Sequence, residues 1–193
     1  MENPDAGAVP WLSRITADGP GDADAFEAVG DLLAWLEGRG PAGSAWPRSD
    51  GGQAGYRAWF HGPPGSGKTR AAALAGKQSR REVYRIDLPG VLGGWSGETE
   101  KELANLFASA EANGWILFFD EADALFGRRE EGRSPNDRSA NQQVAYLLQR
   151  IEDFPGLVIL ATDLKSHLDE AFVRRLQAIL DFPSPDPDQR RGR

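Results

Sequence analysis

Along the second half of the chain and the stretch before it, apolar residues recur in short unbroken runs separated by longer stretches with three- and four-residue spacing. The runs fall at Tyr56–His61, Glu82–Asp87, Trp115–Phe119, Leu157–Ala161 and Ala178–Phe182, each about the length of one strand. Between them, Lys68–Ser79, Glu98–Ala112, Arg138–Ile151 and Leu168–Gln177 have helical length and spacing. Strands alternating with helices predict an α/β fold of three layers, a parallel five-stranded sheet with helices on its faces. Upstream, Phe26, Val29, Leu33 and Leu36 follow the acidic pair Asp22 and Asp24, which predicts one amphipathic helix over 22–37. From Gly38 to Gly55 six glycines and two prolines predict a long loop. No internal repeat and no heptad run interrupts this pattern.

Composition narrows the classes. With 193 residues, 40% hydrophobic and 26% charged, the chain suits one globular domain with or without a tail and is too apolar to be disordered throughout. It has no apolar run of membrane-spanning length, and the acidic start Met1-Glu2-Asn3-Pro4-Asp5 is unlike a signal peptide, so a cytoplasmic protein without a membrane partner is expected. No Cys and only two histidines, His61 and His167, argue against a zinc enzyme. The net charge of −7 is uneven: residues 1–55 hold nine acids and three arginines, and the remainder is nearly balanced. The one dense basic stretch is Arg190-Arg191-Gly192-Arg193, so no nucleic-acid partner is expected.

Candidate chemistry begins at Gly62-Pro63-Pro64-Gly65-Ser66-Gly67-Lys68-Thr69, which fits G-x-x-x-x-G-K-[ST] between a predicted strand and a predicted helix. Glycines let backbone N–H groups turn toward phosphate oxygens, and a helix N-terminus adds partial positive charge. Lys68 reaches the β- and γ-phosphates and Thr69 offers a hydroxyl to Mg²⁺. The nucleotide-contacting set is these eight residues and the adjoining Arg70. Further on, the apolar run Ile116-Leu117-Phe118-Phe119 ends in Asp120-Glu121. Carboxylates at the C-terminal end of a parallel strand face the ligand crevice, where Asp120 suits the Mg²⁺ shell and Glu121 the activation of water. For Asp123 a capping role and a direct role both stand.

Together these motifs resemble the AAA+ ATPases, and within them the classical AAA group of bacterial type, over about residues 56–187. The resemblance implies the large α/β P-loop subdomain at 56–187, which leaves the acidic N-terminal segment at 1–55 and the basic tail at 188–193 outside it. It implies ATP and Mg²⁺ as cofactors, ATP hydrolysis in a protein-remodelling or unfolding machine, a homo-oligomer that is a hexameric ring in the full-length form, and a protein substrate. Trp95-Ser96-Gly97-Glu98-Thr99-Glu100-Lys101 resembles the group's pore loop, whose aromatic grips extended polypeptide; Trp95 as a buried core anchor is the other reading. Leu160-Ala161-Thr162-Asp163 resembles sensor 1, and Leu168–Arg175 the helix carrying the arginine finger. Arg175, with Arg174 as second choice, would then act on a neighbouring subunit's γ-phosphate, or both line a solvated helix face.

Two departures qualify the resemblance. Sensor 1 is usually Asn, and Asp163 stands in its place, either beside the γ-phosphate or turned away as a cap. The family's helical lid with its sensor 2 arginine is expected to be absent, because the sequence continues only briefly past Phe182-Pro183-Ser184-Pro185. The alternative function is therefore a nucleotide-dependent interaction module with little turnover. A small-molecule P-loop kinase is disfavoured by Glu121 and by the pore-like segment.

Overall fold

The computed structural model of the chain describes residues 9–17, 29–36, 55–126, 135–163 and 170–183. Six strands form one sheet: β1 (Leu12–Ile15), β2 (Tyr56–His61), β3 (Val83–Asp87), β4 (Ile116–Asp120), β5 (Leu157–Thr162) and β6 (Ala178–Asp181). Their spatial order is β1-β3-β4-β5-β2-β6. The five strands read from sequence are there and run parallel. Among the described residues the sheet has six strands and not the expected five, because β1 pairs antiparallel with β3 along that edge. Four residues with Ser13 and Arg14 at their centre give no periodic signal. What fixes β1 is tertiary: Trp11 and Leu12 are buried, and Asp87 N donates to Trp11 O at 2.9 Å.

The helices are α1 (Gly30–Leu36), α2 (Lys68–Ser79), α3 (Leu88–Gly93), α4 (Gly97–Asn113), α5 (Pro135–Asp153) and α6 (Glu170–Val173). α2 and α4 match their predicted spans to within a residue, and α5 is longer than the expected Arg138–Ile151. α1 is the described part of the helix expected over 22–37; residues 22–28, the loop at 38–54 and the basic tail lie outside the described residues. The helix expected at Leu168–Gln177 is corrected: its described part ends at Val173, and Gln177 N instead donates to Arg57 O at 2.9 Å, starting β6 beside β2. α3 and a 3-10 turn at Ala122–Leu125 were not expected.

Alternation along the buried strands splits the core in two. Leu117, Phe119, Val158 and Leu160 face α4 and α5, while Ile116, Phe118, Ile159 and Ala161 face α1 and α2. α2 meets the sheet through Ala71, Ala72 and Ala75, all fully buried. Such small side chains let the helix backbone come close; a Cβ at Gly76 would lie 2.2 Å from Val83 Cγ2. The start of α2 is thereby pinned to the C-terminal ends of the strands.

Arg57 ties down the opposite end. It is buried in β2, and its guanidinium donates to the carbonyls of Tyr56 (3.0 Å), Gly156 (3.0 Å), Glu152 (3.1 Å) and Phe154. Glu152 and its neighbours end α5, where carbonyls lack helical partners and the dipole favours a cation.

Candidate nucleotide-binding site

The loop after β2 has the backbone shape that its composition predicts. Gly65 (φ 77°) and Gly67 (φ 100°) lie in the left-handed region, which glycine enters without a Cβ penalty. A Cβ at either would meet nothing within 4 Å, so this side of the loop is open. Gly62 has a different reason to be glycine: a Cβ there would lie 2.1 Å from Phe182 O, where the strand following β5 closes against the loop. Pro63 and Pro64 carry the turn, with Ser66 N donating to Pro63 O at 3.2 Å.

α2 starts on Gly67 without a side-chain cap, so its first N–H groups are left for a ligand. Ser66 Oγ is buried and has no hydrogen-bond partner. Buried hydroxyls are nearly always satisfied, so this unpaired one, packed beside Gly62, leaves a donor in the loop for an acceptor such as a phosphate oxygen. Thr69 is exposed on the first turn, followed by the half-buried Arg70.

Lys68 is 7% exposed and folds across the loop. Its ammonium donates to Gly62 O, to Pro63 O at 3.1 Å and to Asp163 Oδ1 at 2.6 Å. Asp163 thus points at the loop through Oδ1, while the turn that it would cap in the other reading lies outside the described residues. Just before it, Thr162 is buried and its hydroxyl donates to Asp123 Oδ1, so Asp123 links the 3-10 turn to β5.

Asp120 ends β4, beside β5, on the side of the sheet that α2 covers. Its Oδ2 accepts from Arg85 and its Oδ1 from Glu121 N at 3.0 Å. Glu121 is exposed, with a left-handed backbone (φ 54°, ψ 46°). That conformation costs a non-glycine residue roughly 1–2 kcal/mol and turns the side chain out of the strand path. Among the described residues no cluster of three or more His, Asp or Glu suits a metal by itself. The donor set, one hydroxyl and one or two carboxylates, fits Mg²⁺ held jointly with phosphates.

Trp95 and the two arginines lie elsewhere. Trp95 stands between α3 and α4 on the other side of the sheet from α2, half-buried, with its ring 6.0 Å from that of Tyr146 and Nε1 donating to Glu100 Oε1 at 3.1 Å. Ser96 and Thr99 form a reciprocal capping box for α4, giving part of the pore-like segment a structural purpose. Arg174 and Arg175 are exposed, at the end of the sheet opposite the loop, and Arg175 pairs with Glu152.

Comparison with known proteins adds the family. The profile described as "ATPase family associated with various cellular activities (AAA)" matches residues 58–184. The chain belongs to the AAA family. Among AAA relatives, Cell division protein C of Sulfolobus acidocaldarius is 35% identical over 141 residues, covering 68% of this chain and 38% of the relative. Vacuolar protein sorting-associated protein 4B of Pongo abelii is 34% identical over 133 residues, 67% of this chain and 30% of the relative. The chain therefore spans well under half the length of these AAA proteins. The solved FIGL-1 AAA domain in complex with ADP superposes with a TM-score of 0.66 at 26% identity, covering 93% of this chain and 60% of that one. The AAA fold and a nucleotide-binding P-loop family are thus established; among the described residues no helix is long and apolar enough to cross a membrane.

Arg85 and Arg57 are the residues that motif reading missed. Each carried a signal, a charge inside an otherwise apolar strand run.

Proposed function

We propose that residues 56–187 bind ATP with Mg²⁺ and hydrolyse it as the large subdomain of a protein-remodelling or unfolding machine. One observation carries this: the Lys68 ammonium, 2.6 Å from Asp163, lies across a loop whose helix N-terminus has no side-chain cap and whose Ser66 hydroxyl has no partner. In this reading Gly62 to Arg70 hold the phosphates, and Thr69 and Asp120 hold Mg²⁺, which supplies charge neutralisation at the transferring phosphoryl group. Glu121 takes the proton of the attacking water. Calorimetry tests the site: Lys68→Ala should abolish ATP and ADP binding, and unchanged affinity would remove the loop from the mechanism.

The assembly belongs to the same proposal: a hexameric ring in which Arg174 and Arg175 reach a neighbour's nucleotide and Trp95 contacts polypeptide. Trp95→Ala should then keep basal turnover and lose any stimulation by unfolded protein.

A second reading, a nucleotide-dependent module with little turnover, is favoured by the engagement of Lys68 by Asp163. Phosphate release at saturating ATP and Mg²⁺ separates the two.

A further inference from the structure

An arginine within an otherwise apolar strand run needs a reason, because even a partly desolvated charge is costly unless it is paired. Arg85 sits in β3 between Tyr84 and Ile86, both buried. Its reason is Asp120: Nε lies 2.8 Å and Nη2 2.7 Å from Oδ2. The register explains the reach. Arg85 stands opposite Phe118 and Asp87 opposite Asp120, so Arg85 and Asp120 are diagonal neighbours on the side of the sheet packed by α2. With Oδ1 accepting from Glu121 N at 3.0 Å, both carboxylate oxygens are held by the protein itself.

We propose that Arg85 is a positioning residue and the resident counter-cation of Asp120. It fixes the carboxylate in the nucleotide-free site and weakens its hold on a divalent ion, so that the ion enters and leaves with the nucleotide instead of remaining on the protein. The proposal rests on reading the loop at 62–69 as the phosphate site. Charge is the physical cause: the two side chains are 36% and 20% exposed, so a cation approaching Asp120 meets a guanidinium already in place and only partly screened. Methionine would keep the stem's packing and remove that charge, whereas lysine would keep the charge and lose the fork.

The test is Mn²⁺ binding, followed by the electron paramagnetic resonance of the free ion, on the full chain without nucleotide and then with ADP. Arg85→Met should bind Mn²⁺ without nucleotide at least fivefold more tightly than the parent, and Arg85→Lys should stay within twofold of it. The gain should vanish when Asp120→Asn is combined with Arg85→Met. Affinity of Arg85→Met within twofold of the parent, or a gain that survives Asp120→Asn, would overturn the proposal. Circular dichroism checks folding, and Arg85→Gln carries the same comparison if the Met variant does not fold. Failure of the parent to bind ADP would remove the phosphate-site reading, while the nucleotide-free comparison still decides what Arg85 does.

Discussion

At the scale of single residues, the site is a set of charges that already neutralise one another. Lys68 has Asp163, and Asp120 has Arg85. A nucleotide must therefore draw Lys68 away from a carboxylate before its phosphates gain that charge. Asp163 is 42% exposed in its side chain, so solvent screens the pair and its worth is about 1 kcal/mol. Asp163→Asn keeps an oxygen for Lys68 and removes the rival charge; ATP affinity should rise by roughly fivefold, measured by calorimetry. Unchanged affinity would mean that Lys68 leaves Asp163 at no cost. Glu121→Gln should bind ATP as the parent does and lose turnover by roughly 10²–10⁴-fold, because the amide keeps the shape and the left-handed backbone but accepts no proton. Parent-like phosphate release from that variant would exclude Glu121 as the base.

Elements are placed by their ends. α4 begins with the Ser96–Thr99 box, strengthened by Glu98 and Glu100 in its first turn, where the dipole favours acids. Ser96→Ala should cost about 1 kcal/mol and raise amide exchange in that turn, with little change at the C-terminal end of the helix. Stability within error of the parent would show that the box is redundant with the acids. α5 ends under Arg57, whose guanidinium gathers four carbonyls in a buried place. Arg57→Leu removes a donor from each of these carbonyls, of which Gly156 O keeps the Tyr56 N–H, and should lower unfolding free energy by roughly 2–4 kcal/mol in urea titration. A loss below 1 kcal/mol would mean that water takes over the role of Arg57.

For the whole molecule, the arrangement separates two kinds of charge. Gln177 N bonds Arg57 O near the start of β2, whereas the phosphate loop follows His61 at its end. Strand rise puts roughly 16 Å between them, too far for Arg174 or Arg175 to touch a phosphate held by their own chain. Action on a second copy is the geometry this leaves for a finger. Replacing both arginines with alanine should leave ADP affinity within twofold and reduce turnover by roughly 10³-fold or more, and turnover per parent chain should climb with protein concentration. Concentration-independent turnover together with an active double variant would end the in-trans reading.

The sequence by itself determined the five parallel strands, the phosphate loop and the paired acids, because these depend on local matters: unbroken apolar runs, glycines where the backbone must turn left-handed, and carboxylates where a strand stops. It also carried the choice between Asp163 beside the loop and Asp163 as a cap without deciding it. Only the tertiary structure put Asp163 against Lys68, by bringing the end of β5 to the loop 95 residues away. In the same way β1 exists because the edge of β3 is open to it, and Arg57 and Arg85 are tolerated in buried strands because distant carbonyls and a carboxylate meet them there. Such contacts join residues far apart in the chain, and no local spacing encodes which partner a charge within a strand will find.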